Sequence, residues 1–291
     1  MQILRNQRDH MQPTMPLDNI HDIARRLTRD EWYEMVCAAI TGTAPVPMPG
    51  LPPEELQLLL NGRTAAQSMG QAFQIYEIAM NAFETLHPRQ PDAAFLDFGA
   101  GWGRIWRYFL RDFAPVNMSA FDIPGELETF WTHAMLGAQL DVAGPFEPLP
   151  FDDESFDLVV SNSVFSHLTE PLNRFSAGEL ARIMKPGAIF VGTTFGSWHL
   201  RTWQQWRAET PPDGSRKAML SRLSPDFDET ISAYREGRFV LLETPASDAK
   251  PPHFEIACFN GAWLQDNWTG FELVTFDDER NGQALFILRR T

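Results

Sequence analysis

Apolar residues recur along this chain at two periods, and the switches between them outline its elements. From Ile20 to Ile40 the spacing of Ile20, Ile23, Leu27, Trp32, Met35, Val36 and Ala39 is helical and predicts one or two amphipathic helices. The polar stretch 1–18 ahead of them reads as a loose arm. Five prolines and two glycines between Thr41 and Pro53 predict a linker. Pro53 then opens a short helix to Leu60, with Glu54 and Glu55 in the first turn, where the helix dipole favours acids. A longer helix follows from Thr64 to Leu86, with Ala72, Ile75, Ala79 and Phe83 on one face.

Beyond residue 90 the period alternates. Strands are predicted at 95–98, 118–123, 139–142, 156–164 and within "KPGAIFVGTTF". Helices are predicted over Arg104–Arg111, Glu126–Met135 and the stretch ending at Met184. Strand–helix alternation implies a mostly parallel sheet with helices on both faces, a Rossmann-like α/β fold. "GFELVTFDDERNGQALFILRR" breaks the alternation as two strands joined at Asn281–Gly282, an antiparallel C-terminal hairpin. The expected organisation is an arm and helical extension over 1–90 and one domain over 91–291. That domain carries an insertion at about 195–269, where "GRFVLLET" and "HFEIACF" read as a further hairpin.

Charge narrows the function. The formal net charge is −14, and no cluster of Lys and Arg runs through the chain, which disfavours nucleic acid as a partner. No apolar run approaches the ~18 residues of a membrane span, and the polar N-terminal stretch lacks the apolar core of a signal peptide. No membrane partner and a cytoplasmic location are the expectations. Cys37 and Cys258 lack metal-ligand spacing and read as buried thiols; no metal site is expected.

The chemistry concentrates in "FLDFGAGWGRIW", Phe95 to Trp106. A short buried strand runs into Gly99, Gly101 and Gly103, and a glycine turn between strand and helix lets backbone N–H groups approach a small ligand. A dinucleotide site prefers G-x-G-x-x-G, but Arg104 stands where that motif has its third glycine. A nicotinamide-dependent oxidoreductase is thereby disfavoured. Asp122, at the end of the second strand, suits a ribose diol, because a carboxylate offers two acceptor oxygens. Arg104 itself reads as a solvated or salt-bridged helix residue.

With "LDFGAGWGR", "FDI", "LPFDDESFDLVVSNSVFSHL" and "IMKPGAIFVGTT" in that order, the chain resembles the class I S-adenosylmethionine-dependent methyltransferases. The likeness covers about Ala93 to Thr194 and the terminal hairpin. It implies a seven-stranded sheet whose last strand lies antiparallel beside the fifth, with S-adenosylmethionine as cofactor. It also implies roles: Gly99, Gly101 and Gly103 for close backbone approach, Asp97 for the loop or the ligand's ammonium, and Asp122 for the ribose. Ile123 or Phe146 would cover the adenine. The chain departs from the family at Pro145, where many relatives carry the acid that holds the adenine amino group. Backbone groups or Glu147 would then read it.

Two histidines stand near the cleft that this fold implies. His167, in "NSVFSHLTEP", is either a proton acceptor for the methyl-accepting group or the residue that closes the turn into the next helix. His199, Trp203 and Trp206 share a helical face and either wall the acceptor or pack the insertion. His253 reads as structural. The proline-rich lead-in and the aromatic insertion are similar to methyltransferases that act on sugars. The expected reaction is therefore methyl transfer to a small-molecule or carbohydrate acceptor, on oxygen, with His167 and His199 as catalytic candidates. A module that binds the cofactor without catalysis is the alternative.

Overall fold

The computed structural model describes residues 15–87, 91–209, 216–221, 223–224, 226–242, 255–278, 280 and 282–291. Helix α1 (Leu17–Ala24) gives way to α2 (Arg29–Ile40) at a capping box. Thr28 accepts the Glu31 N–H at 3.2 Å, and Glu31 takes the Thr28 N–H in return at 2.7 Å. Reciprocal bonding of this kind satisfies two end donors at once and fixes the break. Helices α3 (Glu54–Asn61) and α4 (Ala65–Leu86) follow. Ala72, Ile75, Ala79 and Phe83 are all buried, as their spacing predicts.

Strands β1 (Phe95–Phe98), β2 (Met118–Asp122), β3 (Asp141–Val142), β4 (Phe156–Ser161) and β5 (Met184–Thr194) alternate with α5 (Trp106–Phe109), α6 (Glu126–Ala134) and α7 (Glu170–Ile183). The insertion contributes α8 (Ser197–Glu209), α9 (Arg216–Leu220), α10 (Phe227–Arg235), β6 (Val240–Leu242), β7 (Ile256–Cys258) and α11 (Gly261–Asn267). β8 (Phe271–Asp277) and β9 (Ala284–Arg290) complete a seven-stranded, mostly parallel sheet of order β3-β2-β1-β4-β5-β9-β8. β9 runs antiparallel to both β5 and β8, which is the arrangement the resemblance implied. β6 and β7 form the second hairpin, antiparallel, with Val240 opposite Cys258.

The chain divides into two compact units. The first gathers the described residues up to Gly144 together with Phe156–Leu158. Its core is aromatic: Phe95 stacks on Phe109 at 3.9 Å, and the Trp32 indole donates to the Tyr108 carbonyl at 3.0 Å. The second unit holds Pro145–Ser155 and Val159–Thr291. There Leu200, Trp203, Phe227, Tyr234, Ile256 and Cys258 share one buried cluster.

Three local expectations are corrected. The helix after the glycine turn is only Trp106–Phe109, because residues 101–105 are spent in turns. The strand after residue 156 ends at Ser161, since Ser163 has a left-handed backbone, φ 64°. The terminal hairpin forms as expected, β8 pairing antiparallel with β9, and Asn281 of its expected turn lies outside the described residues. Cys258 is buried, but Cys37 is only half-buried; both are free thiols. His253 and residues 1–14 of the expected arm also lie outside the described residues.

Candidate functional site

In the first unit, three glycines form a left-handed turn at the carboxyl end of β1, with φ 79° at Gly99, 55° at Gly101 and 76° at Gly103. The requirement for glycine differs along it. A Cβ at Gly103 would come within 2.5 Å of the mobile end of Met135 and 3.2 Å of the Trp131 ring, so Met135 would have to swing aside, and the positive φ strains any side chain there. A Cβ at Gly101 would meet nothing within 4 Å, which leaves that face of the turn open. The Gly99 and Ala100 N–H groups both donate to the Phe121 carbonyl, at 2.8 and 2.9 Å, and tie the turn to β2.

The two predicted acids converge on this turn. Asp122 accepts the Gly101 N–H through Oδ2 and the Ile123 N–H through Oδ1, each at 2.8 Å. Burial pushes its pKa up, and those two donors oppose the rise. Asp97 is buried, and its Oδ2 has no hydrogen-bond partner among the described residues. Burial, then the nearby Asp122 charge, drive the Asp97 pKa up to about 7, against the Trp106 N–H and the Arg104 charge. Asp97, Gly99, Gly101, Gly103, Asp122 and Ile123 therefore make one constellation.

Arg104 is a correction: it is buried rather than solvated, and its Nη1 donates to the Ser68 carbonyl on α4 at 2.9 Å. Two further residues of the turn were not singled out from the sequence. The Trp131 indole, on α6, donates to the Gly101 carbonyl at 2.7 Å. Arg107 is fully buried against backbone carbonyls. Their partners are main-chain carbonyls, several of them far away in sequence, which leave no side-chain signal.

The remaining candidates lie in the second unit. Phe146 is 41% exposed, has φ 62°, and meets Phe175 edge-on at 5.6 Å. The His167 Nδ1 is 3.1 Å from the Glu255 carbonyl, which can only accept, so Nδ1 carries a proton. The structure brings the two catalytic candidates to one ring: Phe195 lies 5.5 Å from His167 and 4.5 Å from His199. Trp198 and Trp203 also flank His199, at 4.9 and 5.4 Å. Burial draws the His199 pKa down to about 4. Trp203 belongs to the insertion core and Trp206 packs against it, which accounts for their helical spacing by packing.

A polar network that sequence reasoning also missed holds the exit of β4. The Ser163 N–H donates to Thr193 Oγ1 at 2.8 Å, and Gln283 Oε1 accepts from both the Ser163 and the Thr193 hydroxyls, at 2.9 and 2.7 Å. Asp278 caps α8 by accepting the Ser197 N–H at 2.9 Å and holds the Tyr234 hydroxyl at 2.8 Å. Among the described residues no group of three or more His, Cys, Asp or Glu could hold a metal ion. No described helix is long and apolar enough to cross a membrane.

Residues 96–192 match the family model described as a methyltransferase domain. The chain is 34% identical over 125 residues to the malonyl-[acyl-carrier protein] O-methyltransferase of Methylococcus capsulatus, covering 42% of this chain and 45% of that enzyme. It is 27% identical over 150 residues to the sarcosine/dimethylglycine N-methyltransferase of Halorhodospira halochloris, half of each chain. The chain thus spans half or less of the length of these curated relatives. The Burkholderia thailandensis 1,6-didemethyltoxoflavin-N1-methyltransferase, solved with 1,6-didemethyltoxoflavin and S-adenosylhomocysteine bound, shares the fold. Its TM-score is 0.50 at 15% identity over 91% of each chain. The sheet order, the glycine turn with its two acids and the family match agree: residues 96–192 match a methyltransferase domain, set in a sheet of the Rossmann-like methyltransferase fold.

Proposed function

We propose that this domain binds S-adenosylmethionine on the β1 turn and directs its methyl group to a hydroxyl of a small molecule or glycan. The observation that carries the cofactor half is the orphaned Asp97 Oδ2: a buried acceptor without a partner suits an ammonium group. The open face at Gly101 suits close approach of a ligand, and Asp122 is already held in place by two N–H groups and keeps lone pairs for a ribose diol. Ile123 and Phe146 are assigned to the adenine faces. Residues 1–90 form the extension and 195–269 the substrate-side insertion.

The cofactor, when bound, supplies an electrophilic methyl on a sulfonium, with a neutral thioether as leaving group. The chain has little else to do beyond alignment and removal of one proton. His167 takes that proton at Nε2, since the Glu255 carbonyl fixes the opposite tautomer at Nδ1. His199, with its pKa near 4, is neutral at pH 7 and a poor proton acceptor, and its place is the aromatic wall with Phe195 and Trp198. A protonatable imidazole beside an aromatic wall supports a hydroxyl on a ring or sugar as acceptor.

Transfer of labelled methyl from S-adenosylmethionine to a panel of phenols, hydroxy acids, amines and glycosides tests this reading. Label on oxygen, lost in His167→Ala, is the expected result. Label confined to amines would overturn oxygen as the accepting atom. S-adenosylhomocysteine binding with no transfer to any member would favour the non-catalytic module.

A further inference from the structure

Arg107 is fully buried, and no carboxylate among the described residues pairs with it. A buried cation without partners is costly, so its surroundings must replace both water and counter-ion. They do so with carbonyls. Nε donates to Gly103 O at 2.9 Å, and Nη2 reaches Trp102 O at 3.5 Å. Nη1 donates to Pro49 O and Nη2 to Gly50 O, both at 3.0 Å. The guanidinium also lies 5.0 Å from the centre of the Trp102 ring. Two of these acceptors belong to the glycine turn and two to the proline-rich segment read from sequence as a linker.

The segment is held from its other side as well. The Gly50 N–H donates to the Ala134 carbonyl at 2.7 Å, and a Cβ on Gly50 would lie 2.9 Å from Ala134 Cβ. Ala134 ends α6, and α6 carries the Trp131 that binds Gly101 O. The contacts close a ring: Pro49–Gly50, Arg107, the turn, Trp131, Ala134, and back to Gly50. Within it the carbonyls of Gly101 and Gly103 are each held by a side chain, and Trp102 O lies at the edge of reach of Arg107. A planar trans peptide points the following N–H the opposite way, so holding the two carbonyls orients the amides that follow them.

We propose that Arg107 is a positioning residue for the cofactor and that Pro49–Gly50 is an integral strap of the cofactor site. This rests on the reading that the β1 turn takes S-adenosylmethionine. The planar fork of arginine suits the task, because it can reach carbonyls on two segments at fixed angles, which the single ammonium of lysine does not.

The test is calorimetric titration of the full chain with S-adenosylhomocysteine, beside hydrogen exchange of the amides at 99–103 and the melting temperature without ligand. Gly50→Ala changes no atom of the turn or of Arg107 and keeps the Gly50 carbonyl that Arg107 binds, but it pushes the strap off Ala134. It should weaken binding at least about tenfold and speed exchange at 99–103, while melting shifts little. Arg107→Lys should fall between wild type and Arg107→Ala in affinity. Should the Arg107 variants fail to fold, Gly50→Ala decides. Wild-type affinity and wild-type exchange in folded Gly50→Ala would overturn the strap. Wild-type protein that binds no S-adenosylhomocysteine would instead overturn the cofactor reading, and the strap's role in it with it.

Discussion

Asp122 holds Gly101: the backbone N–H of one donates to the carboxylate of the other at 2.8 Å, across the gap between the β1 turn and the end of β2. The acid therefore shapes the turn besides offering oxygen to a ligand. Asp122→Ala should lower S-adenosylhomocysteine affinity by roughly ten- to a hundredfold, the loss expected when a charged acceptor is removed. Asp122→Asn keeps one carbonyl oxygen and should lose less. Calorimetry on both variants and wild type checks the order.

Asp97 predicts the pH dependence of cofactor binding. With its pKa near 7, it is largely protonated at pH 6 and ionised at pH 8. A ligand ammonium needs the ionised form, so affinity should rise with pH up to about 7 and then level. Binding at pH 6.5 should release protons, seen as a calorimetric enthalpy that varies with the buffer. Asp97→Asn should bind weakly at every pH. The sign for stability is opposite: the folded state holds this proton more tightly than the unfolded chain, so ligand-free protein should lose stability from about pH 4 to pH 7.

His199 pulls the other way. Its folded pKa of about 4 lies below the unfolded value near 6.5, so its contribution to stability is present above about pH 6.5 and lost as pH falls towards 4. His199→Phe should flatten that acid limb in urea melts at pH 4.5 to 7. A melt as steep as wild type would place the titrating group elsewhere.

His167→Ala should cut methyl transfer by about a hundredfold or more, the usual worth of a positioned base, with S-adenosylhomocysteine affinity unchanged. The measurement is single-turnover transfer to whichever acceptor the panel identifies. A rate that does not fall would leave His167 a packing role, with its hydrogen bond to Glu255 and its edge contact on Phe195.

Trp131→Phe removes the indole bond to Gly101 O and empties the space of the second ring at a fully buried site beside Trp106. The expected cost is about 2–4 kcal/mol of stability, the lost hydrogen bond plus the cavity, read as a lower midpoint in urea with an unchanged slope.

The glycine turn and Asp122 were legible because local rules govern both: a glycine wherever φ is positive, and an acid where a strand ends. The capping box at Thr28–Glu31 is equally local and fixes the break between α1 and α2, but apolar spacing alone left one helix or two open there. Arg104 and Arg107 were not legible, because their partners are backbone carbonyls of Ser68, Pro49 and Gly50, which carry no residue identity. The proline-rich stretch looked like a linker for the same reason: its composition encodes an irregular path, not what that path is tied to. The terminal hairpin was legible from its two apolar runs, while the bonds of Asp278 and Gln283 beside it were not.

The pairing of β5 with β9 has a consequence for synthesis. The ribosome releases β5 well before β9, with the whole insertion in between. Until Ala284–Arg290 arrives, the nascent chain holds an apolar strand with one unsatisfied edge, the kind of edge that templates aggregation. Expression limited by crowding of half-made chains is the behaviour such an order favours, and slower translation through the insertion would worsen it rather than help.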